Sequence, residues 1–336
     1  MIRRAFHSWE RRLAAAAENR TVRPFEWGLE WIPDLGNGAT DPASRLTEWA
    51  GRALERSTDF YAVAPADYSF DGRTLTFESA VVTPHRENNR VAARYFPATA
   101  ANGRRRAVLV MPQWNADADG HAGLCRLLNQ FGLSALRLSL PYHDVRMPAE
   151  LKRADYIVSA NVGRTIAVNR QAVLDARRAI AWLQQQGFDS IGVLGTSLGS
   201  CLAMLTMAHE PLVKAAALNH ISPFFADVIW TGISTAHVRQ SLDGNVDLDT
   251  LRRIWMPISP LPYLNRVKDR RTLLVYALYD LTFPLELSRM LVSEFRAQNV
   301  PHELKVLPCG HYSTGVTPFK WMDGIALCRF LRRALA

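Results

Sequence analysis

The sequence is short of several things, and each shortage removes a class of protein. No run of about 18 consecutive apolar residues occurs, so no membrane-spanning helix is expected. Residues 1–20, "MIRRAFHSWERRLAAAAENR", lack the apolar stretch of a secretory signal, and a cytoplasmic location is the expectation. There are four cysteines in 336 residues, Cys125, Cys201, Cys309 and Cys328, far apart and without CxxC spacing. That excludes a disulfide framework or a zinc ribbon and leaves buried free thiols in a reducing compartment. No internal repeat and no low-complexity segment is present, so solenoids and disordered tails drop out. Forty Lys and Arg against 31 Asp and Glu give +9, but the basic clusters carry no interleaved aromatics and no nucleic-acid motif. The charge therefore reads as solubility or attraction to anionic surfaces, and no nucleic-acid partner is expected.

What is present begins with an amphipathic N-terminus: Ile2, Phe6, Trp9 and Leu13 recur at helical spacing opposite Arg3, Arg4, Arg11 and Arg12. Packing on its own domain is the first expectation, a membrane surface the second. Residues 1–72 form a helical and irregular extension rich in Trp, Pro and Gly. From residue 73 strands and helices alternate, which predicts an α/β fold with a mostly parallel central sheet and helices on both faces. "LTFESAVVT" and "RVAARYFP" read as an antiparallel edge. "RRAVLVMP", "SALRLSLP", "SIGVLGT", "VKAAALN", "RTLLVYAL" and "HELKVLP" read as buried strands. Helices are predicted over 121–132, 160–186, 198–209, 285–298 and 318–334. The rhythm breaks at about 220–270, an excursion too long for a plain loop, and a cap inserted over a pocket is expected there.

Within this frame, Gly195-Thr196-Ser197-Leu198-Gly199 lies at the carboxyl end of a buried strand and opens a helix, the context of a G-x-S-x-G nucleophile elbow. A serine hydroxyl needs a base, and the base needs an orienting acid. In an open parallel sheet both should follow later strands at their carboxyl ends. Asp280 directly follows "TLLVYAL", whereas the other acids beyond Ser197 fall on helices or in the cap. Of the histidines past Asp280, His302 lies at the amino end of the last strand and His311 at its carboxyl end, so His311 is the base. No cofactor is expected. "NADADGHAG", with Asn115, Asp117, Asp119 and His121, lacks the spacing of a calcium loop, and no metal is expected.

The order Ser, Asp, His in these strand contexts resembles the α/β-hydrolase superfamily from residue 73 to the end. "NQFGLSALRLSLPYHDVRMP" and "LQQQGFDSIGVLGTSLGS" further resemble the group of the abhydrolase-domain-containing protein 18 type. The superfamily resemblance implies an oxyanion hole made by the amide of Leu198 and a second amide from the loop after the third strand. Here that is Trp114 or its neighbour Gln113, since Pro112 has no amide hydrogen. Candidates for substrate contact are Tyr142 and His143 after "SALRLSLP", His220 before the cap, and Phe224, Phe225 and Trp230 within it.

These residues together lead to the expectation of a serine hydrolase that cleaves a small-molecule carboxylic ester through an acyl-enzyme, with an apolar acyl or aryl group. An acyltransferase, a thioesterase or an amidase would use the same triad. A hydrolase-like scaffold that binds without turnover is the alternative outside enzymology.

Overall fold

The computed structural model describes residues 1–35, 41–99 and 104–336. Nine strands form one sheet: β1 (Ser69–Phe70), β2 (Thr74–Glu78), β3 (Arg90–Phe96), β4 (Arg106–Met111), β5 (Ser134–Leu138), β6 (Ser190–Thr196), β7 (Val213–Asn219), β8 (Arg271–Ala277) and β9 (His302–Leu307). Their order is β1-β2-β3-β5-β4-β6-β7-β8-β9. β1 to β3 form the antiparallel edge, β3 pairs antiparallel with β5, and every later pairing is parallel.

Alternation along the central strands assigns the two faces. In β4, Ala107, Leu109 and Met111 join one hydrophobic cluster while Val108 and Val110 join the other. The first cluster receives the helices Val162–Gln185 and Leu198–His209, the second Ala122–Gln130 and Phe319–Ala334. Strands buried on both faces read as continuous apolar runs, which is why β4 to β8 were visible in the sequence. The first predicted strand stops at Glu78, because Thr83 and Asn89 fold the chain into a hydrogen-bonded turn before β3.

The segment ahead of the sheet carries more structure than its composition announced. Helix Ile2–Ala15 buries Glu10 and Ala14, and Phe6 stacks on Tyr279 at 4.5 Å between ring centroids. A second helix, Pro42–Glu55, starts at Asp41, whose carboxylate accepts from the amides of Ala43 and Ser44. Its Leu46, Trp49, Ala50 and Ala53 belong to the first core cluster. The 220–270 excursion folds into short helices, Phe225–Thr231, Ala236–Leu242 and Leu248–Ile254, and the last packs against Pro42–Glu55. Among the described residues, no helix is long and apolar enough to cross a membrane.

Candidate active site

The turn between β6 and helix Leu198–His209 holds Ser197 at φ 56° and ψ −120°, a backbone conformation that a side chain rarely adopts and that the surroundings must enforce. They do so by proximity. A Cβ at Gly195 would lie 2.1 Å from the carbonyl oxygen of Gly199, and one at Gly199 would lie 2.1 Å from that of Met111. Both glycines are thus required for helix and strand to approach closely enough to throw Ser197 outward. The Ser197 amide donates to the Asn219 carbonyl at 2.8 Å, and among the described residues the Ser197 hydroxyl has no hydrogen-bond partner.

Past β8, Asp280 is almost fully buried and its Oδ1 accepts from the amides of Thr282 and Phe283 at 2.8 and 2.7 Å. Its Oδ2 meets two imidazoles, His311 Nδ1 at 3.1 Å and His220 Nδ1 at 2.9 Å. Burial alone would raise this carboxyl, but the two imidazoles outweigh it and hold Asp280 below the ordinary carboxylate range. His220, at φ 58° and fully buried, places Nε2 3.3 Å from the Thr314 hydroxyl. That hydroxyl also lies 2.7 Å from the Gly310 carbonyl, to which it donates. Both His220 nitrogens thus face oxygen atoms. Burial opposes charge on the ring, and the Asp280 carboxylate overcomes it, raising the His220 pKa.

His220, Asp280 and His311 are also the one group of potential metal ligands that gathers among the described residues, with donor atoms within 4.8 Å of one another.

The loop bearing His311 is held from an unexpected direction. Glu10, in the N-terminal helix and wholly buried, accepts from the amides of Tyr312 and Ser313 at 2.9 Å each. Its carboxyl carbon lies where a Gly310 Cβ would come within 2.3 Å, so glycine is required there too. Sequence reasoning missed this role of Glu10. A lone acid inside an arginine-rich amphipathic helix was the only signal.

Ser197, Leu198, His220 and His311 line one cavity of about 720 Å³, together with Gln113 and Trp114 from the loop after β4. Because β1 precedes the predicted strands, this is the loop after the fourth strand of the sheet. The Asn115 amide, next along, is already donated to His143 Nε2 at 2.9 Å. Non-glycine residues at positive φ crowd this rim: Asn115, His121, Ser197 and His220 all border the cavity. His121, whose Nε2 lies 3.0 Å from the Thr196 hydroxyl, is held near neutral by burial, its pKa lowered to about 4.

Phe224 and Phe225 border the cavity as expected of the cap, but three expected contacts do not. Tyr142 is fully buried and its hydroxyl bonds His85 Nδ1 at 3.0 Å. His143 is buried behind the rim, its Nδ1 donating to the Pro141 carbonyl. Burial drops its pKa to about 4, which keeps the neutral form that can accept from Asn115. Trp230 turns away from the cavity, beneath the Arg239 guanidinium at 5.1 Å. Both corrections after β5 have one cause. The chain there is tied down by a buried ion pair, Arg137 with Asp144 at 2.6 Å, and has no freedom to enter the crevice. In the acidic loop, Asp117 accepts from the amides of Asp119 and Gly120, and Asp119 pairs with Arg94.

Known structures share this architecture. An acetyl xylan esterase from Paenibacillus sp. R4 superposes with a TM-score of 0.60 and 14% identity over 90% of this chain and 97% of its own. Acetyl xylan esterase 1 from a Thermoanaerobacterium species gives 0.58 and 14% over 97% and 98%. An acylaminoacyl peptidase from Pyrococcus horikoshii gives 0.61 and 14%, with 83% of this chain covering 43% of that longer one. No protein-family model matches the sequence, and no curated protein matches it. The likeness establishes the α/β-hydrolase fold.

Proposed function

We propose that the protein is a serine hydrolase that cleaves carboxylic esters through an acyl-enzyme. The observation that carries this reading is Ser197 held at positive φ, with a free hydroxyl, in the same cavity as an Asp280-bound His311. On substrate binding the hydroxyl closes on His311 Nε2, a contact that tightens only in the reacting complex. His311 takes the proton as Ser197 Oγ bonds to the carbonyl carbon. The carbonyl π electrons move to oxygen, which the amide of Leu198 and that of Gln113 or Trp114 receive. As the ester C–O bond breaks, His311 returns the proton to the leaving alcohol. Water then repeats the sequence in reverse and frees the acid. Asp280 holds the His311 tautomer and faces its charge.

His220 shares Asp280 with His311 and keeps that carboxylate ionised. The apolar part of the cavity wall, with Phe224, Phe225, Val228 and Ile229 from the capping region, favours an apolar acyl or aryl group.

The test is intact-mass analysis after exposure to a fluorophosphonate. One adduct on the wild type, and none on a folded Ser197→Ala variant, is expected. A folded wild type that takes no adduct, and turns over no ester in a panel of acyl chain lengths, would return the site to a binding role.

A further inference from the structure

Two guanidiniums, Arg20 and Arg153, line the cavity that holds Ser197, and among the described residues neither is hydrogen-bonded to a carboxylate. Arg20, just past the N-terminal helix, donates from Nη2 to the Tyr312 hydroxyl at 2.9 Å, and its Nε is buried with no partner. Arg153, from the chain between β5 and helix Val162–Gln185, is 6% exposed and donates from Nη1 to the Asn19 side-chain oxygen Oδ1 at 3.2 Å. Its Nε also has no hydrogen-bond partner, and its guanidinium sits 4.1 Å from the centre of the Trp114 ring.

The carboxylate nearby, Asp155, is already bonded to a third guanidinium, Arg23, at 2.9 Å, and stands 3.7 Å from Arg153. Arg23 and Arg153 thus share one carboxylate, and Arg20, close enough to weigh on Arg153, adds a third positive charge. Next to them His237 keeps both ring nitrogens buried and unpartnered, its ring parallel to Trp114 within 4°. Burying cations beside neutral acceptors costs free energy that an anion would return. Arg153 shows the balance: burial and the neighbouring Arg20 disfavour its charge, and Asp155, already engaged by Arg23, offsets only part of that. A planar fork of donors suits a carboxylate or phosphate oxygen pair.

We propose that the cavity takes substrates bearing an anionic group, a carboxylate or a phosphate, bound by Arg20 and Arg153 while an apolar chain lies against Leu124, Phe225 and Val228. This rests on reading the cavity as a hydrolase site and names the class of ester it selects. It also gives the N-terminal segment a part in recognition, through Arg20.

The experiment measures how amphiphiles of equal chain length slow fluorophosphonate labelling of Ser197. Octyl phosphate and octanoate are compared with octanol, on the wild type and on the Arg20→Gln/Arg153→Gln double variant. In the wild type, half-protection by at least one of the two anions is expected at a concentration at least tenfold lower than by octanol. In the double variant that ratio should fall close to one, and Arg153→Lys should keep most of it. The anion with the larger ratio identifies the group. Equal protection by all three compounds in the wild type, or a ratio unchanged in a folded double variant, overturns the proposal. A wild type that does not label sinks the hydrolase reading instead. Calorimetry of octyl phosphate and octanoate then judges the anion site alone: at least tenfold weaker binding of one of them to the double variant supports it, and equal binding of both overturns it.

Discussion

At the scale of single residues, the site is governed by which charges are left to face each other in a dry interior. Asp323 borders the cavity with Oδ2 accepting from Asn219 Nδ2 at 2.8 Å and Oδ1 unpartnered. Burial raises its pKa to about 6. A carboxyl that holds its proton more tightly when folded lends stability that is complete below its unfolded value near 4 and is lost as pH rises through about 6. The difference corresponds to at most about 3 kcal/mol. Asp323→Asn, which cannot ionise, should therefore gain little at pH 4 and raise the melting temperature progressively toward pH 8. A gain that does not depend on pH would contradict this account. His220 makes a complementary case. With its pKa raised, its share of the stability is present below about 6.5 and fades as pH climbs through the raised value. A nitrogen NMR titration should give the histidine signal that disappears in His220→Asn a midpoint above that of an unperturbed imidazole, and a midpoint below it would contradict this account.

At the scale of elements, the N-terminal helix does its work through one side chain. Two amides bonded to a buried carboxylate are worth about 1.5–3 kcal/mol each. Glu10→Ala should lower the unfolding free energy by about 3 kcal/mol and slow fluorophosphonate labelling by loosening the His311 loop. Glu10→Gln, which keeps one acceptor oxygen, should recover part of both. Labelling at the wild-type rate with an unchanged melting temperature would remove the helix from the site.

The same element marks where the sequence stopped being legible. Ser197, Asp280 and His311 could be picked out because each follows the carboxyl end of a strand, and strands buried on both faces announce themselves. Glu10 could not be placed, since its partners lie 302 and 303 residues away and no local pattern records such a pairing. Helix Pro42–Glu55 was readable in principle, from Asp41 and Pro42 at its start and the spacing of Leu46, Trp49, Ala50 and Ala53, but the surrounding Trp, Pro and Gly masked it. Tyr142 and His143 misled because a residue that follows a strand need not face the crevice when an ion pair fixes its turn. His220 was expected as a pocket residue. Its bond to Asp280 became visible only when β7 and β8 were seen side by side.

At the scale of the whole molecule, burial keeps four thiols inert, Cys201 on the wall of the Ser197 cavity among them. All four cysteines are free and buried. Burial lifts Cys125, Cys309 and Cys328 to about 12 and Cys201 higher still, so none is a thiolate at neutral pH. A bulky charged disulfide reagent should modify none of them in the native protein and all four in denaturant, and rapid native reaction would show that the interior opens.

The contact between Glu10 and the His311 loop also imposes an order in time. While the chain is being synthesised, Glu10 emerges long before the amides of Tyr312 and Ser313 exist, and Arg20 likewise waits for the Tyr312 hydroxyl. The half-made chain can form the elbow and even the strained serine, yet His311 and the Arg20–Tyr312 contact come only with the last residues. Completion of the site is reserved for the moment when the two ends of the chain meet, so the nascent protein passes through the crowded period of its synthesis with its reactive centre unassembled.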